Sequence, residues 1–166
     1  MSMPRRLTAV ATALAGAMLL ATPAAAPAAE SSTPPAGCTG PASQHWLNIS
    51  VEGLRSGNGL VAITLYEDNP RKFLVKRGSL YVGRTDAQNG TTRTCIFVPK
   101  PGVYAVAIYH DENGNGKFDR SSIGFPEEGF GFSNNPATLA GLPSFRSVRL
   151  NVPRAGLTTR ISMRYP

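Results

Sequence analysis

The chain has 166 residues, 42% of them hydrophobic and 16% charged, with 17 Lys and Arg against 10 Asp and Glu for a net charge of +7. With its two Cys better placed in a disulfide, the two His that remain are too few for a zinc centre. Its cations run from Arg55 to Arg164 without an interleaved aromatic motif, which argues against a nucleic-acid partner.

Arg5 and Arg6 precede the apolar run Leu7 to Leu20, and Ala26-Pro27-Ala28 suits cleavage before Ala29. Residues 1–28 therefore read as a secretory signal peptide. The arginine pair also hints at twin-arginine export, but Pro4 and the missing downstream pattern favour the general secretory route. The apolar run falls short of the roughly 20 residues that span a bilayer. The expected location is secreted or periplasmic, with no transmembrane segment in the mature chain. Residues 29–44 are rich in Pro, Ala, Ser and Thr and read as a linker that cannot order itself alone. Ala36-Gly37-Cys38 has the small-small-Cys form of a lipid-attachment site, yet it lies too far past the apolar run and has Pro35 where such a signal carries Leu. Two cysteines in an exported chain point instead to one disulfide, Cys38 to Cys95.

The folded part is expected over residues 45–166, a length that buries a core as one domain. Leu47, Ile49 and Val51 alternate with Asn48, Ser50 and Glu52, giving a half-buried strand. Ser56-Gly57-Asn58-Gly59 makes a turn, and Val61, Ile63 and Leu65 form a second strand, predicted to pair with the first as a hairpin. Asp68 to Arg77 has room for a short helical turn, and its cations Arg71, Lys72, Lys76 and Arg77 read as a solvated basic face, with contact to an anionic envelope surface as the alternative. Cys95 to Val98 leads through Pro99-Lys100-Pro101-Gly102 into Val103 to Tyr109, which is apolar on both faces and is predicted to be a central strand covered on each side. Val148, Leu150 and Val152, a turn at Pro153 to Gly156, and the run from Leu157 to Tyr165 predict a closing hairpin. About seven short strands and no long helical period give an all-β fold, a single β-sandwich of immunoglobulin-like or transthyretin-like type.

The run Asp111-Glu112-Asn113-Gly114-Asn115-Gly116-Lys117-Phe118-Asp119 places side-chain oxygens at every second position and again at its end. Calcium takes several oxygen ligands, and such spacing wraps a loop around it. Asp111, Asn113, Asn115 and Asp119 are the candidate side-chain ligands, and the carbonyl of Lys117 is a fifth. The loop is not an EF-hand, because Ser122 stands where a bidentate Glu belongs and strand precedes it. It is closer to the shorter calcium loops between strands of β-propeller and adhesin-type domains. Glu127 or Glu128 can fold back as a further ligand. The same residues also suit a solvated Asn/Gly turn. The Gly/aromatic stretch Gly124 to Asn135 is read as a loop whose Phe125, Phe130 and Phe132 either present a binding platform for a carbohydrate or peptide or plug the end of the sandwich.

Gly102 to Asp119, followed by Ile123-Gly124-Phe125-Pro126-Glu127-Glu128 and Gly131-Phe132-Ser133-Asn134-Asn135, resembles a bacterial exported family, domain-of-unknown-function family 2141. The resemblance covers roughly Leu47 to Tyr165. It implies a secreted or periplasmic β-sandwich without an established reaction, and it assigns no catalytic residue. The expected function is an exported, non-catalytic binding or structural module stabilised by calcium in the 111–119 loop. One alternative is a hydrolase using His110 with Asp111 or the Glu127-Glu128 pair. Another is an envelope accessory domain that grips a partner protein through an exposed strand edge.

Overall fold

The computed structural model describes residues 33–138 and 142–166. The predicted signal peptide and residues 29–32 lie outside the described residues, among which no helix is long and apolar enough to cross a membrane. The regular secondary structure is nearly all strand: β1 (Trp46–Leu54), β2 (Leu60–Glu67), β3 (Tyr81–Asp86), β4 (Gly90–Phe97), β5 (Gly102–Asp111), β6 (Phe130–Phe132), the one-turn helix α1 (Phe145–Val148), β7 (Arg149–Val152) and β8 (Leu157–Ser162). Two sheets face each other, one in the order β4-β1-β8 and one in the order β3-β2-β5-β6, with β7 also on β5. The architecture is a β-sandwich, as the strand pattern predicts.

Leu47, Ile49 and Val51 of β1 meet Val61, Ile63 and Leu65 of β2 and Val106 and Ile108 of β5 in the main core. The pairing, however, overturns both predicted hairpins. β1 pairs antiparallel with β4 and parallel with β8, whereas β2 lies between β3 and β5 in the other sheet. Likewise β7 joins β5 while β8 joins β1. The physical reason is visible in burial. β1 alternates buried and partly exposed positions and needs cover on one face, whereas β2 is buried on both faces and must be central. The turn after β1 therefore crosses between sheets. Gly59 makes that crossing tight: its φ is +65°, and a Cβ there would lie 2.0 Å from the Asp111 carbonyl oxygen.

β5 is central, as predicted. β6 and β7 run one after the other along its far edge, pairing with Ala107–Tyr109 and Gly102–Ala105. Ser133 fills the joint between them: its N–H donates to Val106 O at 2.9 Å, its hydroxyl oxygen accepts Val106 N–H at 3.1 Å, and its hydroxyl donates to Val148 O. The outer face of this sheet carries a second apolar cluster of Tyr66, Phe73, Ala105, Ala107, Phe132 and Val148. Phe73 arrives on a series of turns rather than the predicted helical turn, because Leu74 (φ 55°) and Arg77 (φ 61°) are left-handed and cannot continue a helix.

The segment read as a linker is partly structural. Cys38 and Cys95 form a disulfide with Cα atoms 4.6 Å apart. Thr39 then bridges β4, its N–H donating to Cys95 O and its carbonyl accepting Phe97 N–H, both at 3.0 Å. Thr39 also packs against Gly83 of β3, so this segment spans the gap between the edges of the two sheets.

Candidate functional site

β5 ends at Asp111, whose side chain is fully buried at the head of the 111–119 loop. Its Oδ1 accepts Asn115 N–H at 2.9 Å and its Oδ2 accepts Gly116 N–H at 2.8 Å. The loop is thereby coiled around one carboxylate, with Gly116 at a φ of +77° making the bend. Asn113 and Asn115 turn inward as well, their Oδ1 atoms accepting Asn115 N–H at 3.0 Å and Lys117 N–H at 2.8 Å. Both amide nitrogens donate to the same atom, Asp119 Oδ2, at 2.8 and 2.7 Å. Lys117 has an exposed side chain.

Of the two neighbouring glutamates, the chain brings in one. Glu127 is exposed, its N–H bonded to Asp119 O at 3.1 Å, whereas Glu128 is 5% exposed and accepts Asp119 N–H on Oε2 at 3.1 Å. Glu128 Oε1 is buried without a hydrogen-bond partner among the described residues. Burial pushes the Glu128 carboxyl above its ordinary value. The Asp119 N–H pulls it down, the charges of Asp119 and Asp111 push it up again, and the Glu112 backbone N–H pulls it down slightly. Among the described residues no three His, Cys, Asp or Glu side chains are gathered tightly enough to hold a metal by themselves. The oxygens gathered here are the carboxylates of Asp111, Asp119 and Glu128, with the Asn113 and Asn115 amide oxygens taken by backbone N–H groups; carboxylate and amide oxygens are the hard ligands calcium takes.

His110 belongs to a different structure. It is fully buried, with Nε2 2.8 Å from Asn58 O and Nδ1 2.7 Å from Tyr165 Oη. A carbonyl only accepts, so Nε2 carries the proton and Nδ1 accepts from the Tyr165 hydroxyl, which itself accepts Arg55 N–H at 3.2 Å. Both ring nitrogens are engaged, and neither faces Asp111 or Glu128. The Arg55 guanidinium lies 4.5 Å over the Tyr165 ring and bonds Glu112, whose carboxyl it holds below the ordinary range. Sequence reasoning missed this tie, because Arg55, His110 and Tyr165 are far apart in the chain.

The three phenylalanines part company. Phe125 is 66% exposed, Phe130 is half-buried and Phe132 is buried. Phe130 and Phe132 belong to a row of rings on the outer face of the larger sheet, running Tyr109, Phe118, Phe130, Phe132 and Phe73 with centroids 5.5 to 6.2 Å apart. Phe118, inside the acidic loop, is the link that sequence reasoning passed over; an aromatic ring among loop residues was its only signal. Residues 130–132, read as loop, are strand β6.

No curated relative and no solved structure matches the chain. A family model described as an uncharacterized protein conserved in bacteria (DUF2141) matches residues 49–160, from within β1 to within β8, and the chain belongs to that family.

Proposed function

We propose that the domain is an exported, non-catalytic binding or structural module whose 111–119 loop, closed by Glu128, holds calcium. One observation carries the reading: the buried Glu128 carboxylate, with an unpartnered oxygen, sits beside Asp119 and Asp111, and none of the three forms an ion pair with Lys or Arg among the described residues. Buried charge is costly unless it is paired or coordinates a cation. A divalent ion between Asp119 and Glu128 relieves that cost. Turning over the two Asn amides would bring their oxygens to Asp119 in exchange for the bonds those oxygens now accept from Asn115 N–H and Lys117 N–H. The disulfide and the signal-like N-terminus support export.

Thermal unfolding of the mature oxidised protein in chelator, calcium and magnesium tests the reading. A metal that binds only the folded state raises stability by about 2.7 kcal/mol at a hundredfold excess over Kd. A calcium-specific rise that is lost in Asp119→Ala and Asp111→Ala is the expected result. An identical midpoint in chelator and in saturating calcium would sink it.

A further inference from the structure

The row of rings borders a cavity of about 320 Å³ on the outer face of the larger sheet. Its floor is low because β2 and β5 place Thr64 and Ala107 there, between the taller walls of Tyr66 and Leu74 on one side and Tyr109, Phe118 and Phe130 on the other. It continues into an open trough of about 630 Å³, with Arg120, Pro126, Phe130 and Leu142 common to both. The apolar surface is not sealed: Val75, Leu142 and Phe125 around it are 50%, 60% and 66% exposed. Exposed apolar side chains gathered at one concavity mark a binding surface more often than a random surface does.

The charge at this concavity is one-sided. Lys76 and Arg120 line it and, among the described residues, no Asp or Glu does. Lys76 forms no ion pair among the described residues, and Arg120 lies 4.9 Å over the Phe118 ring and donates to Gly124 O at 3.1 Å, also without a carboxylate partner. Arg164 adds a third cation along the trough. A sugar needs several hydrogen-bonding side chains around its hydroxyls, and those of Thr64, Tyr66 and Tyr109 are few among aliphatic and aromatic walls. The ring neighbours are tilted or edge-on to one another, which leaves a cleft rather than a flat stacking platform.

We propose that this groove binds a small anionic amphiphile, an alkyl chain lying over Ala107 and Thr64 between the rings with its carboxylate or phosphate head held by Lys76 and Arg120. The proposal rests on the reading of the domain as a binding module and names its ligand class. The volume lies at the lower end of ligand pockets, which suits a medium-length chain rather than a two-chain lipid. Phe118 and Arg120 flank Asp119 in sequence, so the acidic loop also shapes one wall of the groove.

Isothermal titration of the mature oxidised protein with decanoate, decyl phosphate and decyltrimethylammonium, each below its micelle concentration, tests this. Saturable one-to-one binding of an anion is expected, with the cation of equal chain length roughly tenfold or more weaker. Decanoate against decyl phosphate identifies the preferred head. Ala107→Leu fills the floor and should abolish binding of all three. Lys76→Gln with Arg120→Gln, both at the surface, should weaken the anions roughly tenfold and leave the cation unchanged. No saturable binding of either anion, equal binding of the cation, or anion binding indifferent to the Gln pair would overturn the proposal. The calcium reading fails separately, on the thermal midpoint: lost anion binding with an intact calcium shift sinks the groove alone.

Discussion

Glu128→Gln separates two consequences of one buried charge. Without metal, the carboxylate sits 5% exposed with Oε1 unpartnered and two further carboxylates nearby. Gln keeps the shape and an oxygen for Asp119 N–H, 3.1 Å away, and removes the charge. Relief of an uncompensated buried polar group is about 1–3 kcal/mol. For a domain of this size about 4 °C of midpoint corresponds to each kcal/mol, so the variant in chelator should melt roughly 4–12 °C above wild type. In saturating calcium the variant's advantage should shrink by most of a calcium stabilisation of about 2–3 kcal/mol, since it has lost a charged ligand, and the order reverses where the relief lies at the lower end of its range. The assay is circular dichroism against temperature for both proteins in both conditions at neutral pH. If Glu128→Gln lowers the midpoint in chelator, the carboxylate is net stabilising through its N–H bond and the argument from uncompensated charge is wrong. An equal shift in both conditions would remove Glu128 from the ligand set.

Replacing Cys38 and Cys95 together by Ala should cost about 4 kcal/mol of stability in urea titrations, because the bond closes a loop across a sequence separation of 57; a loss below about 1 kcal/mol would mean that the Thr39 bridge alone holds the segment. Tyr165→Phe leaves the buried His110 Nδ1 without its donor and should cost about 1–3 kcal/mol, read by the same titrations, with wild-type stability as the contrary result. Burial pushes the Tyr81 hydroxyl well above its ordinary value of 10.0, aided by Tyr104. The folded state then keeps a proton that the unfolded state has released, so the contribution of Tyr81 to stability is constant below that ordinary value and falls as pH rises beyond it. Tyr81→Phe should flatten the fall, and tyrosinate absorbance showing every tyrosine ionising in the ordinary range would contradict the assignment.

The core-facing alternation of β1, β2 and β8 was readable, because period-two burial is written directly into Leu47, Ile49 and Val51 or Val61, Ile63 and Leu65. Partner choice was not. Nothing local in Ser56-Gly57-Asn58-Gly59 says that the chain changes sheets there, since a hairpin and a crossing use the same turn residues. What distinguishes them is the second buried face of β2, formed by Ala62, Thr64 and Tyr66, which is a weak signal until Phe73 and Phe132 are seen to cover it. β3 and β6 were missed for a similar reason: Gly83 and Gly131 interrupt their apolar pattern, and both gain their order from neighbours. The oxygen spacing of residues 111–119 marked the loop, but not that Asp111 would take the Asn115 and Gly116 N–H groups or that both Asn amides would turn their nitrogens to Asp119. The choice of Glu128 over Glu127 was beyond sequence, because alternation makes one of the two point inward without saying which.

The parallel pairing of β1 with β8 joins the two ends of the folded chain, Leu47 opposite Leu157 and Val51 opposite Ile161. The smaller sheet therefore has no complete version until the last strand exists. As the chain emerges from the ribosome, β2 can find β3 early, but β1 waits with one edge unpaired until β8 is made. Such long-range closure slows folding, and it makes the last few residues a checkpoint: a chain cut short before β8 would keep Leu47, Ile49 and Val51 beside an open edge, a surface on which aggregation or proteolysis acts first.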